Sequence, residues 1–487
     1  IPQGDWSSDV CSSDLYIVYP LMVIFGLSET EWLQSTTTHV METTGKNYAK
    51  LMQIFSLIPN SMQYEPNDQI GIPWDLNKIA QLLFFISLSA TVVCLICART
   101  KAKRWWIGGL GLLLSAVLLT GYFIPVSVPV MDLSAASETA DTTYYDMIHK
   151  DCQKDEAADF RVKKYQLDFS MGLNLTGRAK VYVDRSELKS YRFTLYHGYK
   201  VKQVTDQTGA ALDFRREYDY VTVTRGGAAV EYLCLEYTGK SPKYYSSYAG
   251  VCLPANFAYY PIPGYRELFK DNFYGFIDCS LPYDTAFDVR CSGRKQMYCN
   301  LAARGDNHFA GNARSITLLS GYYDTLKLND TLVVYPKYAD GEIQARIKKN
   351  MGTFTKQHRD IHTIFIMGAD NLTPYEHLRS YDGYVVTNSM IDMEQSYFES
   401  QIDISKMDFY KTFVYYYNEK VDREELEQLK QSEDPEEYPM VQIILKLSAS
   451  KNREAAAAET EQYLTNSKDT RAPMTFLQEL GEKYAKA

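Results

Sequence analysis

Two apolar stretches, IAQLLFFISLSATVVCLICA (Ile79–Ala98) and WWIGGLGLLLSAVLLTGYFI (Trp105–Ile124), flank the basic turn RTKAKR (Arg99–Arg104). Their reading decides where the rest of the chain lies. Each is about 20 residues, enough at 1.5 Å per residue to cross the roughly 30 Å hydrocarbon core of a bilayer, and neither carries an ionisable acid or base. They are expected to form a transmembrane hairpin. Arg99, Lys101, Lys103 and Arg104 place four cations in the turn, and short cationic loops stay on the cytoplasmic side, so everything after Ile124 is expected to be extracytoplasmic. Trp105 and Trp106 stand at the membrane–water boundary, where an apolar ring with a polar N–H is at ease.

A third apolar run, Tyr16 to Gly26, is about half the length of a spanning helix. Residues Asp5 to Leu15, DWSSDVCSSDL, coincide with one reading frame of a common sequencing-library adapter. Residues 1–15 are therefore set aside, Cys11 is not counted as a cysteine of the protein, and membrane sequence is expected to be missing upstream. The membrane region is read as 16–130, with an outside loop from Leu27 to Lys78. Within that loop Tyr48 to Leu57 has the pattern of an interfacial or re-entrant helix.

The chain has 487 residues, a net charge of -9 and 46% hydrophobic residues, with a mean hydropathy of -0.30. This describes a membrane segment attached to a soluble ectodomain, and the acidic balance argues against nucleic acid as a partner. Cys94 and Cys97 have C-x-x-C spacing but lie inside the first span, where packing is the simpler role. Cys152, Cys234, Cys252, Cys279, Cys291 and Cys299 form an even set compatible with disulfides. No close C-x-x-C pair among these six suggests zinc. Tyrosine is abundant, at 40 residues, and pairs such as Tyr244-Tyr245 and Tyr259-Tyr260 and the run Tyr415-Tyr416-Tyr417 suit half-buried strands with packed rings and wet hydroxyls.

Ser134 to Phe160 is polar and reads as a linker, with residues 131–160 as its span. From Arg161 apolar and polar residues alternate. Tyr165, Leu167, Phe169 and Met171 share one face, and similar runs recur at Ala179–Val183, Tyr191–Tyr196, Tyr220–Thr224 and Val230–Tyr237, separated by turn residues. The expectation is an antiparallel β-sandwich over 161–330. Beyond it, over 331–487, Ile343–Lys356 reads as a helix, Ile361–Met367 and Tyr384–Val386 as strands, and the tail as helices from Asp422, over Glu454–Leu464 and over Pro473–Ala485. The fold class is thus a membrane α-helical segment followed by an α+β ectodomain.

Particular residues carry a resemblance. Leu235-Glu236-Tyr237-Thr238-Gly239, Tyr259-Tyr260-Pro261 with Gly264, and Gly383-Tyr384-Val385-Val386 resemble segments of the gluzincin zinc aminopeptidase family. The apolar spans with their outside loop resemble the last membrane segments of a bacterial ABC-type transporter permease. The first resemblance implies an N-terminal sandwich and a peptidase-like catalytic domain. A working site needs H-E-x-x-H on a helix, with two imidazoles one turn apart to hold zinc and a glutamate as general base. His358-Arg359-Asp360-Ile361-His362 has the histidine spacing but an arginine in place of the base, which leaves His358 and His362 as weak metal candidates. Where the family has Gly-x-Met-Glu-Asn, this chain has Arg379-Ser380-Tyr381-Asp382.

The peptidase-like domain is therefore expected to be degenerate and not an enzyme, with no cofactor. There is no G-x-S-x-G, and Thr44-Gly45-Lys46 lacks the first glycine of a phosphate loop. The expected function is a permease component in a bacterial plasma membrane. Its partners would be the bilayer, a separate ATP-binding subunit and a peptide bound by the ectodomain. The alternatives are a membrane-anchored zinc aminopeptidase and a membrane-anchored sensor or binding ectodomain.

Overall fold

The computed structural model describes residues 76–122, 141, 144–145, 149–241, 243–270, 275–337, 343–367, 378–388, 393–418 and 437–484. The run Tyr16–Gly26, the amphipathic stretch Tyr48–Leu57 and the helix expected from Asp422 lie outside the described residues. The chain divides into two compact units, one of residues 1–377 with 381–390 and the other of 378–380 with 391–487.

The hairpin consists of two helices of 22 residues, Leu76–Cys97 and Lys101–Tyr122. Both are long and apolar enough to cross a membrane. The second begins inside the basic stretch, four residues earlier than its apolar run. Thr100 Oγ1 accepts the Lys103 N–H at 3.3 Å as an N-cap, while Arg104 Nε donates to Ala98 O at 3.0 Å. Small residues bring the helices together: Ser87 Oγ and Ser115 Oγ are 3.1 Å apart, and a Cβ on Gly111 would lie 2.1 Å from Thr91 Oγ1. This is close packing of the kind that holds helices where no hydrophobic effect can act between them. Their outer faces are apolar and open, with Ile96 74% and Leu110 69% exposed.

The alternation read from Arg161 onward is realised in strand Val162–Met171, whose Tyr165, Leu167, Phe169 and Met171 are buried. It lies inside a seven-stranded sheet, in the order Ala302–Gly305, His308–Ala313, Thr285–Ser292, Val162–Met171, Leu175–Val183, Tyr232–Gly239 and Tyr199–Thr205. One pairing corrects the expectation of a purely antiparallel arrangement. Val162–Met171 runs parallel to Thr285–Ser292, with Leu167 opposite Val289 and Phe169 opposite Cys291. The two strands are far apart in sequence, so no tight turn sets their direction, and the long crossover that parallel pairing requires is present. That crossover supplies a four-stranded sheet (Phe214–Glu217, Tyr220–Thr224, Ser190–Thr194, Ile262–Pro263) and strand Val251–Leu253 of a three-stranded one.

Tyrosines fill the core between these sheets. Tyr165, Tyr191, Tyr199, Tyr237, Tyr259 and Tyr260 have no exposed surface, where half-buried rings were expected. Main-chain acceptors receive the hydroxyls of four of them, while those of Tyr199 and Tyr260 have no partner among the described residues. Tyr165 Oη donates to Pro261 O at 2.8 Å, Tyr237 Oη to Tyr259 O at 2.9 Å, Tyr259 Oη to Ile316 O at 2.8 Å and Tyr191 Oη to Arg185 O at 2.7 Å. A buried phenol so paired keeps the full apolar gain of its ring without an orphaned hydroxyl.

The eight described cysteines are all free, so the compatibility with disulfides is not realised among them. In the sheets Cys234 is opposite Lys180, Cys252 opposite Leu319, Cys291 opposite Phe169 and Cys299 opposite Leu318.

The sheet-rich unit continues through the hairpin of Tyr323–Leu328 and Thr331–Pro336, after which Thr363–Ile366 and Tyr384–Thr387 pair in parallel. The helix expected over 343–356 is two helices, Ile343–Met351 and Phe354–Gln357. The second unit is helical, with Met407–Asn418, Glu437–Ser448, Arg453–Thr465 and Pro473–Tyr484 around a core that includes Phe409, Val441, Ile444 and Leu477. Lys406 Nζ donates to Tyr463 O and Asn466 O at 2.7 and 2.8 Å, so a cation closes the C-terminal end of Arg453–Thr465.

Replacing Tyr259 by Phe leaves Ile316 O without its donor inside the core. A loss of about 1–3 kcal/mol is expected, read as a lower urea midpoint with an unchanged m-value.

Candidate functional site

His358 and His362 do not lie on one helical face. The helix Phe354–Gln357 stops before them and His358 is its C-terminal cap, its ring 4.5 Å from that of Phe354. His362 stands just before strand Thr363–Ile366, where its N–H donates to Gly383 O at 2.7 Å. The i, i+4 spacing that suggested a metal clamp is spent on a turn, in which the Ile361 N–H returns to His358 O at 3.2 Å. No group of three or more His, Cys, Asp or Glu side chains among the described residues could hold a metal ion. With no H-E-x-x-H in the sequence, the described residues do not offer a ligand set for the zinc ion that the resemblance implies.

In the segment Arg379-Ser380-Tyr381-Asp382, Tyr381 stacks on Tyr384 at 4.8 Å and donates to Asn256 Oδ1 at 3.4 Å. Gly383 has φ +77°, which suits glycine. Tyr384 Oη is within 3.4 Å of Ser315 Oγ and 3.3 Å of Thr317 Oγ1. These contacts bind the turn to the core.

A denser polar centre, which the sequence reading passed over, lies where the stretch after the membrane helices meets the sheets. Asp141 is 2% exposed. Its Oδ1 accepts from Tyr196 Oη at 2.6 Å and lies 3.8 Å from His197 Nε2. Across the imidazole, Asp219 Oδ1 accepts the His197 backbone N–H at 2.6 Å and sits 3.4 Å from Nδ1. Tyr145 Oη is 3.3 Å from the same nitrogen, and Tyr144 stacks on the imidazole with ring centres 3.5 Å apart. Arg216 supports the loop that carries Tyr196 and His197, donating to Leu195 O at 3.0 Å, to Tyr196 O at 2.9 Å and to Tyr199 O.

Two buried carboxylates therefore flank one imidazole. Burial pushes the Asp141 carboxyl from 3.8 up to about 6; the Tyr196 hydrogen bond, His197 and Lys243 oppose the rise and Asp219 adds to it. Asp141 Oδ2 has no hydrogen-bond partner. The Asp141 carboxyl thus holds its proton more firmly than an exposed one does.

The described part of the stretch expected as a linker is bound to the sheet-rich unit. Gln153 Nε2 donates to Phe269 O at 2.9 Å, the Glu156 N–H donates to Tyr265 O at 2.7 Å, and Arg192 pairs with Glu156 at 2.6 Å and Asp159 at 3.1 Å. The sequence signal for this was faint: an acid in a polar run and a histidine two residues before a strand.

No known protein-family profile matches the chain, and no curated protein does. Among solved structures it is similar to yeast leukotriene A4 hydrolase in complex with bestatin, at 10% identity over 68% of this chain and 67% of that one, with a TM-score of 0.39. It is also similar to an M1 zinc metallopeptidase from Deinococcus radiodurans, at 10% identity over 68% of this chain and 88% of that one, with a TM-score of 0.33. These similar structures are of enzymes. The expectation that the chain is not an enzyme is corrected accordingly, although the likeness does not show which residues of this chain would be catalytic.

Replacing Arg216 by Met removes the donor shared by three carbonyls in a half-buried setting. The expected cost is about 2–4 kcal/mol, seen as an earlier urea transition.

Proposed function

We propose that the chain is a membrane-anchored protein that presents an aminopeptidase-like domain at the bilayer surface, where it engages peptides. The observation that carries the anchor is the hairpin: two helices of 22 residues, with Ser87, Thr91 and Ser115 buried and exposed apolar side chains outside. In water such a surface would be a large unpaid exposure of hydrocarbon, whereas a bilayer covers it. Arg99, Lys101, Lys103 and Arg104 favour a cytoplasmic turn, with the sheet-rich domain on the opposite side of a bacterial plasma membrane. The peptide part of the reading is supported by the resemblance at Leu235–Gly239, Tyr259–Pro261 and Gly383–Val386.

The third apolar run, Tyr16–Gly26, favours a membrane region larger than one hairpin. It supports a second reading, a permease component of an ABC-type transporter paired with a separate ATP-binding subunit.

The anchor is checked by alkaline carbonate extraction and by protease added to spheroplasts. The chain should stay with the membrane pellet, and its sheet-rich part should be digested from outside; release into the supernatant defeats the anchor. Peptide engagement is checked by titrating the detergent-solubilised chain with short peptides bearing a free or an acetylated N-terminus. Preferential binding or trimming of the free form is expected, and indifference to both removes the peptide reading. Copurification of an ATP-binding subunit from the native membrane distinguishes the second reading.

A further inference from the structure

We propose that Asp141 is a pH-responsive latch: when protonated it holds the stretch bearing Tyr144 and Tyr145 against the sheet-rich domain more tightly than when ionised. The proposal stands on the geometry of the contact and is independent of the peptide reading. Residues 123–140 separate the second apolar helix from Asp141 in the chain.

The titratable and charged groups around Asp141 and the docked Tyr144 and Tyr145 come from four parts of the described chain. The stretch of Asp141 itself brings Tyr144, Tyr145, His149 and Cys152. The loop after Ser190–Thr194 brings Tyr196 and His197. Strand Phe214–Glu217 and the turn after it bring Arg216, Tyr218 and Asp219, and Lys243 follows strand Tyr232–Gly239. Tyr145 is 1% exposed and stacks on Phe269 at 5.0 Å. Undocking the stretch therefore takes the carboxylate from a closed pocket into water.

Ionised, Asp141 keeps one oxygen buried without a donor, beside a second carboxylate. Protonation removes that charge. The sign follows from a docked-state value near 6 against an ordinary value of 3.8: docking gains strength as pH falls through about 6, and loses it as pH rises. Between pH 7.5 and pH 5.0 these values give about a tenfold change in the docking equilibrium.

The test is hydrogen–deuterium exchange of the full chain in detergent at the two pH values, with rates normalised to the chemical exchange rate. Peptides containing Tyr144 and Tyr145 should be about tenfold more protected at pH 5.0. Asp141→Asn should show similar protection at both pH values. Tyr196→Phe removes a bond that favours the ionised form, so it should move the midpoint upward. Strand Val162–Met171 reports that each variant is folded, and Tyr196→Phe carries the test if Asp141→Asn is not. Wild-type protection that does not change with pH overturns the proposal. So does a wild-type profile retained in Asp141→Asn, above all if His197→Gln abolishes it, since the imidazole would then be the titrating group.

Discussion

The sheet-rich unit leans on one interaction, the hydrogen bond from a buried phenol to a main-chain carbonyl. A core of this many tyrosines can be as well packed as one of phenylalanine only if the main chain is positioned to receive the O–H groups. Pro261 O, Tyr259 O, Ile316 O and Arg185 O do so. These carbonyls lie in turns and connections whose backbone is not consumed by ladder pairing. The phenols thereby fix loops as well as fill space. The turn Tyr259-Tyr260-Pro261 illustrates the coupling, because its residues act both as rings in the core and as carbonyl acceptors for other rings.

Much of the local structure was legible in the sequence. The period of two in Tyr165, Leu167, Phe169 and Met171 gave a strand with the correct face inward, and Tyr220–Thr224 was placed to the residue. Both membrane-length helices were evident from apolar length alone. Local pattern carries no record of strand direction, however, and the parallel neighbour of Val162–Met171 comes from the far end of a long crossover. Tyrosine burial was misjudged for a similar reason. Composition tells that a ring prefers a half-wet site, but the acceptors that allow full burial come from residues distant in sequence.

The candidate site was the least legible part. His358 and His362 have the spacing of a helical metal pair, yet the helix ends at Gln357, and four residues of turn do not put side chains where four residues of helix would. The polar centre at Asp141, His197 and Asp219 has no motif at all. Its members come from three separate stretches of the chain, and only the docking of the first against the other two creates it.

The connection between the membrane helices also bears on mechanics. With the turn reduced to Ala98-Arg99-Thr100, closed by the Arg104 and Thr100 hydrogen bonds, and with Gly111 seated on Thr91, neither helix can slide along the other without breaking the turn or driving a side chain into backbone. The hairpin is in effect a single rod. Were the hairpin set in a bilayer, a pull from the folded domain would reach it as a tilt of the pair, and a piston-like stroke of one helix is closed to it.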